Sequence, residues 1–241
     1  MTKPPRIDRK LLKDSDLFVQ RGRSLFERLG HYRSRFLSVF LVGLIIVAAV
    51  YGYDWWVQKQ AVNGWKAYNL ATKDTGLEYT KNLSSVFEKF SQTRPSYFAA
   101  VKLADYYFDE RKKELAKDAN ATQFAGLASE WYGKALQYRD VSLVEKQLLL
   151  IDRGQSFELE KKLDEALAML KLAADLGGET KALALLHSAF VYELKNDEPT
   201  ALETYQKILV DFQNTEYARL ARNHLRQLKS PIFRASAQKR G

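Results

Sequence analysis

The longest apolar segment of the chain lies near its N-terminus, at residues 36–53, FLSVFLVGLIIVAAVYGY. Eleven of these eighteen residues are Leu, Ile, Val or Phe, and none of them is charged. At about 1.5 Å per residue, a helix continued to Trp56 spans about 30 Å, the thickness of the hydrocarbon core of a bilayer. The pattern therefore predicts a transmembrane helix over 36–56, with a buried core helix of a soluble domain as the alternative.

The residues on either side of this segment predict its orientation. Residues 1–35 hold ten Lys or Arg against four Asp or Glu, and this excess of positive charge predicts that the arm stays in the cytoplasm. Its apolar residues recur at helical spacing, so the arm is either a basic amphipathic helix on the membrane surface or disordered. We expect an uncleaved anchor, because no small-x-small cleavage site follows the apolar run.

Aromatic and basic residues mark the two predicted membrane interfaces. Trp and Tyr favour the level of the lipid headgroups, and Arg favours the cytoplasmic side. The residues predicted at these interfaces are Arg33 and Arg35 on the inside, and Tyr51, Tyr53, Trp55 and Trp56 on the outside.

The rest of the chain shows helical periodicity without a convincing alternating strand pattern, which predicts an all-α domain over 57–229. Ser142 and Glu145 form a capping-box sequence at one helix start, and Gly177 and Gly178 follow the end of another helix. The predicted helices lie near 57–73, 77–91, 96–117, 122–138, 142–160, 162–176, 180–195, 198–212 and 215–229. Residues 230–241 are predicted to form a flexible basic tail.

Two successive helical pairs match each other at a constant offset of 35 residues. The matched positions are Gly154 and Ala189, Phe157 and Tyr192, Ala166 and Ala201, Leu170 and Tyr205, and Ala173 and Ile208. This pattern resembles the tetratricopeptide repeat, a helix-turn-helix unit of about 34 residues that stacks into a solenoid. The resemblance covers roughly 83–212 and is looser in its first half, where about twelve additional residues separate the two helices of a pair.

The resemblance implies a groove lined by one helix of each pair. The apolar groove positions that it implies are Phe98, Val101, Phe108, Leu148, Ile151, Leu183, Leu186, Phe190 and Leu194. Polar groove positions that it implies are Asp105, Asp109, Gln155, Glu158 and Glu193. Because the strip is mostly apolar, it either binds a hydrophobic peptide or partner helix, or is already filled by the protein's own helix, such as 57–73.

Composition narrows the classes of function. The net charge is +9, but most of the excess lies in residues 1–35 beside the predicted span, so nucleic acid is a poor explanation for it. The chain has no Cys, which excludes disulfides, zinc-thiolate sites and thiol nucleophiles. Its three His residues have no metal-ligand spacing, and no phosphate-binding or nucleophile motif is present. We therefore expect no enzymatic activity, cofactor, metal or small-molecule substrate.

The order of basic arm, uncleaved span, aromatic belt and tetratricopeptide-like domain resembles the YfgM-like ancillary subunits of the Sec translocon. That resemblance implies a single-pass protein of the bacterial inner membrane with a periplasmic C-terminal domain. It also implies that the partners are translocon subunits, a membrane-anchored periplasmic chaperone and unfolded polypeptide. The alternative is a scaffold of an envelope or secretion complex that binds one dedicated partner helix.

Overall fold

The structure, a computed structural model, describes the backbone of residues 9–113, 118–178 and 180–229, and the side chains of residues 37–111, 121–178 and 180–229. Within these ranges every regular element is a helix, as predicted. The helices are α1 (Arg9–Ala71), α2 (Gly76–Lys89), α3 (Arg94–Lys113), α4 (Asp118–Ala135), α5 (Leu143–Leu159), α6 (Leu163–Asp175), α7 (Lys181–Leu194), α8 (Glu198–Asp211) and α9 (Glu216–Lys229). The side chains of Arg33 and Arg35 and the predicted tail at 230–241 lie outside the described residues.

Helix α1 contains the apolar segment. Among the described residues, Leu37–Ala71 is the one helical stretch long and apolar enough to cross a membrane, judged by its length and by an 18-residue window whose mean hydropathy is 2.0. Its large apolar side chains up to residue 50 are exposed, as are the four predicted belt aromatics. The helices predicted at 36–56 and 57–73 are one continuous helix, because no Gly, Pro or turn sequence separates them.

The chain divides into two compact units, Met1–Gln58 and Lys59–Gly241. The buried residues of the second unit form three clusters. The first joins the end of α1 to α2, α3 and α4, the second joins α5, α6 and α7, and the third joins α7, α8 and α9. From α2 onward each helix packs against the next one, and α7 also contacts both α5 and α9.

Helix ends follow the predicted local signals. Ser142 and Glu145 form the predicted capping box at the start of α5, since the Ser142 side chain accepts from the Glu145 amide and the Glu145 carboxylate accepts from the Ser142 amide. Gly177 and Gly178 follow α6 with φ of +78° and +72°, the left-handed conformation that glycine adopts without strain. Asp197 caps α8 by accepting a hydrogen bond from the amide three residues later.

The turns after α5 and α7 have the same geometry at the same 35-residue offset. Lys161 and Asn196 both have positive φ, 63° and 60°. In each turn the amide of the following residue donates to the carbonyl five positions before it, and the N···O distance is 2.9 Å in both cases. This bond pattern satisfies the last carbonyls of each helix and directs the chain into the next one.

Burial repeats with the offset found in the sequence. Gly154 and Ala189 are both buried, and so are three further matched pairs: Ala166 and Ala201, Leu170 and Tyr205, and Ala173 and Ile208. Phe157 and Tyr192 are both partly buried. Equivalent positions of the two helical pairs therefore have equivalent places in the core.

Candidate interaction surface

Side chains from alternate helices interact at four places within the second unit. Direct contacts join α1 to α3, α5 to α7, and α7 to α9, and an electrostatic interaction links α3 to α5. We call this set the alternate-helix row. Its members are Trp65, Tyr68 and Phe98, then Asp105 and Asp152, then Gln155 and His187, and finally Phe190, Glu193 and His224. The row runs along α3, α5 and α7, the helices that carry the predicted groove positions.

The first contact of the row is aromatic. Trp65 and Tyr68 of α1 lie against Phe98 of α3, with ring centroids 5.6 and 6.4 Å from that of Phe98. Gly64 allows α1 to lie this close, because a Cβ at that position would be 3.1 Å from a side-chain carbon at the start of α3. The protein's own helix therefore covers the α3 end of the row, which is one of the two arrangements that the sequence left open.

The second interaction is electrostatic and links two partly buried carboxyl groups, Asp105 on α3 and Asp152 on α5. The Tyr132 hydroxyl donates a hydrogen bond to Oδ1 of Asp105 at 2.9 Å. Burial raises the pKa of Asp105, and the hydrogen bond from Tyr132 opposes that rise. Burial and then the charge of Asp105 raise the pKa of Asp152 to about 6. Asp152 is therefore the carboxyl group that holds a proton in slightly acid solution.

The third contact is a polar link between α5 and α7. Nε2 of Gln155 lies 3.3 Å from Nε2 of His187. Burial lowers the pKa of His187, so the neutral imidazole predominates at neutral pH and its unprotonated nitrogen accepts from the Gln155 amide. Glu158, one turn further along α5, has a pKa that burial raises and the charge of Arg111 lowers. The centre of the row is thus polar, although most of the predicted groove positions are apolar.

The fourth contact lies at the C-terminal end of the alternate-helix row and joins α7 to α9. The Phe190 and His224 ring centroids are 4.6 Å apart, and Nδ1 of His224 lies 3.6 Å from Oε1 of Glu193. The Tyr205 hydroxyl of α8 donates to the same Glu193 oxygen, and burial, followed by this bond, raises the pKa of Tyr205. Phe190 therefore supports the packing of α7, α8 and α9 together.

The nine apolar residues predicted to line the groove differ in exposure. Ile151 and Leu186 are core residues, 1% and 3% exposed, whereas Leu148 and Leu194 are 39% and 55% exposed. The other five are partly buried: Phe98, Val101, Phe108, Leu183 and Phe190. The apolar area available to a partner is therefore concentrated at Leu148 and Leu194.

Sequence reasoning did not single out Asp152. A signal was present, because this carboxyl group follows four consecutive apolar residues, Leu148 to Ile151, in the middle of a helix. A charge at the edge of such a run is either solvated or held near other buried polar groups. Only the packing of the neighbouring helices around α5 decides between these two cases.

Metal sites and cavities were also considered as binding sites in the part of the chain that the structure describes. No group of three or more His, Asp or Glu side chains there is placed to hold a metal ion. Two open cavities of about 500 and 470 Å³ lie away from the row. One is beside Leu70 and Phe90 at α1 and α2, and the other is beside Lys171 and Lys207 among α6, α7 and α8. Neither is lined by a residue of the alternate-helix row.

The alternate-helix row, the apolar segment of α1 and the 35-residue repeat are the features from which we infer a function. No family model matches the chain, and neither the curated proteins nor the solved structures include a match to it.

Proposed function

We propose that the chain is a membrane-anchored interaction protein, ancillary to the Sec translocon of a bacterial inner membrane, whose helical domain is a tetratricopeptide-like solenoid. Residues 36–56 cross the membrane, residues 1–35 stay in the cytoplasm, and residues 57–229 form a periplasmic domain. Its partners are translocon subunits, a membrane-anchored periplasmic chaperone and unfolded polypeptide. The protein acts by binding, without catalysis or a cofactor.

The repeat in α5 to α8 is the observation that carries this proposal. Sequence, burial and turn geometry all recur at an offset of 35 residues. In a stack of helical pairs, the first helix of one pair contacts the first helix of the next, and the contacts of α7 with α5 and α9 fit this arrangement. Proteins built in this way expose a continuous row of side chains from alternate helices, which is a surface for polypeptide partners.

The membrane anchor is supported by Leu37–Ala71, which has the length and composition of a span. The excess of Arg and Lys in residues 1–35 favours a cytoplasmic N-terminus. An anchor holds the domain near the channel exit, so that each contact with an emerging chain needs only weak affinity.

Site-specific photo-crosslinking tests the proposed surface. A photoreactive amino acid replaces Leu148 or Leu194 of the row helices, or Leu172 as a matched control, an exposed leucine of α6 outside the row. In native membranes we expect translocon subunits and many translocated chains to crosslink at the first two positions and not at the third. Equal adducts at all three positions, or none at any, would contradict a partner surface along the row.

The second candidate function is a scaffold with one dedicated partner. It is favoured by the ends of the row, because Trp65 and Tyr68 cover Phe98 at one end and His224 covers Phe190 at the other. The open part of the row is consequently short, which suits a single helix. The same crosslinking experiment separates the two functions, since a scaffold gives one stoichiometric adduct and a translocon subunit gives many.

The proposed orientation has its own test. Because the chain has no Cys, a single Cys introduced by Ser15→Cys or by Gln206→Cys is the only thiol. We expect a membrane-impermeant maleimide to label the Gln206→Cys protein in intact spheroplasts, and the Ser15→Cys protein only after permeabilisation. The reverse labelling would overturn the orientation without affecting the helical fold.

A further inference from the structure

The cavity of about 470 Å³ beside Lys171 and Lys207 has walls from three helices, α6, α7 and α8. Helices α6 and α8 both pack against α7. The lining residues of α7 recur every three or four positions and so lie on one face of that helix: Lys181, Leu185, Ser188 and Tyr192. At about 100° per residue, the α7 residues of the alternate-helix row centre on the opposite face. The cavity is therefore a second surface of the domain.

Positive charge is in excess at this cavity. Each helix contributes one lysine to the lining: Lys171 from α6, Lys181 from α7 and Lys207 from α8. None of the three ammonium groups has an ion pair or a hydrogen bond with a residue that the structure describes. The lining also holds two carboxylates, Asp164 and Asp175, and Asp164 is already bonded to Lys195. Asp175 is thus the remaining carboxylate of the lining against three lysines.

The helical repeat does not require these lysines. The residues 35 positions after Lys171 and Lys181 are Gln206 and Glu216, whereas the matched core positions of the repeat stay apolar and buried. Lys171 and Lys207 are also exposed, so their ammonium groups are not part of the core. Like charges on neighbouring helices repel one another. The lysines therefore add charge that the packing does not need and that a bound anion would neutralise.

The wall between the lysines is largely apolar. Its apolar members are Leu167, Ala168, Ala174, Leu185 and Tyr192. The hydroxyl groups of the wall already have acceptors within their own helices, since Ser188 donates to the Ala184 carbonyl at 2.9 Å and Thr204 donates to the Thr200 carbonyl at 2.8 Å. A bound molecule is consequently stabilised by negative charge near the lysines and by apolar area against the wall.

We propose that this cavity binds an acidic segment of a partner protein. Carboxylates of the segment pair with Lys171, Lys181 and Lys207, and its apolar side chains lie against Leu167 and Leu185. A polypeptide fits this lining better than a lipid headgroup, because a polypeptide carries charged and apolar side chains next to each other, as the lining does. The site goes beyond the proposed function, since it gives the domain a second partner on the face opposite to the alternate-helix row.

Peptide binding to the full chain in non-ionic detergent tests this site. The probe is a dye-labelled peptide, Glu-Leu-Glu-Ala-Glu, and its matched control has Lys in place of each Glu. Binding is followed by fluorescence anisotropy. We expect the acidic peptide to bind and the basic one not to bind, and we expect added salt to weaken the binding. The double variant Lys171→Glu with Lys207→Glu should weaken it by about tenfold, because two exposed ion pairs are lost and two repulsions replace them.

A second double variant controls for net charge. Lys81→Glu with Lys146→Glu reverses two exposed lysines outside the cavity, and it should change the affinity by less than about twofold. If the first double variant fails to fold, Lys171→Gln with Lys207→Gln removes the same charges without repulsion and should weaken binding by about threefold.

Three results would overturn the proposal. The first is equal binding of the acidic and basic peptides, and the second is wild-type affinity in a folded variant of Lys171 and Lys207. The third is binding of a soluble short-chain phosphatidylglycerol that depends on these lysines while the acidic peptide does not bind. The proposed function fails separately, since the cavity variants should leave crosslinking at Leu148 and Leu194 unchanged. Leu172, the crosslinking control, is not one of the lining residues.

Discussion

The approach of α5 to α6 gives the sharpest test of the fold, because it depends on a single missing methyl group. A Cβ added at Gly154 would lie 3.0 Å from Cγ of Leu170 and 3.3 Å from the carbonyl oxygen of Ala166. Carbon atoms pack best about 3.5–4.0 Å apart, and Leu170 is fully buried, so neither neighbour can move freely. In Gly154→Ala, the gain of about 1 kcal/mol in helix propensity is opposed by about 1–3 kcal/mol of overpacking.

Gly126 provides the matched control within α4. A Cβ at Gly126 would be 3.6 Å from the Glu160 side chain, an ordinary contact. We therefore expect Gly126→Ala to stabilise the domain by about 0.5–1 kcal/mol and Gly154→Ala to destabilise it by about 1 kcal/mol. The measurement is urea unfolding of the full chain in mild detergent, followed by circular dichroism at fixed detergent concentration.

The sign of the difference between the two glycine variants decides the outcome. If Gly154→Ala is as stable as Gly126→Ala, the two helices are further apart than the structure has them. If the slope of unfolding free energy against urea concentration is unchanged, each variant exposes the same amount of surface on unfolding. The two midpoints can then be compared.

Three other substitutions test the local interactions. Ser142→Ala removes the hydroxyl that accepts from the Glu145 amide at 3.3 Å, and we expect a loss of about 1 kcal/mol in urea unfolding. Ser142→Asp should retain most of this stability, and an unaffected Ala variant would mean that the cap contributes nothing. Tyr205→Phe removes the hydrogen bond to Glu193 and should cost about 1–3 kcal/mol, since the bond has a charged acceptor. No loss would mean that water replaces the hydroxyl. Leu170→Ala empties a fully buried site and should lower the unfolding free energy by about 2–5 kcal/mol. A much smaller decrease would indicate that the core collapses into the space.

Much of the helical framework could be predicted from sequence because its causes are local. The capping box at Ser142 and the glycines after α6 act over a few residues, so the sequence shows both the residues and their effect. The 35-residue offset was also visible in the sequence, since small and large apolar residues recur at matched positions of the two helical pairs. The same positions are buried in the structure. The predicted break near residue 57 was wrong, because the predicted domain boundary was taken for a helix end, although α1 continues to Ala71.

The candidate surface was less accessible to sequence reasoning. Positions carried over from a repeat pattern treat Ile151 and Leu186 like Leu148 and Leu194, yet the first two are buried and the last two are open. A helix of about 3.6 residues per turn places neighbouring positions only about 100° apart. A small rotation of the helix therefore decides which leucine faces the core, and packing sets that rotation.

The sequence by itself determined the helical character of the chain, most of the helix ends after α1, the apolar segment of α1 and the repeat, because each depends on residues within one or two turns or on a regular spacing. Only the tertiary structure decided that Trp65 and Tyr68 cover Phe98 and that Gln155 contacts His187. Those contacts join residues that are 30 or more positions apart in the chain. Their formation depends on the distance and rotation between packed helices. Close approaches such as that of α6 to Gly154, which has no side chain, set this distance.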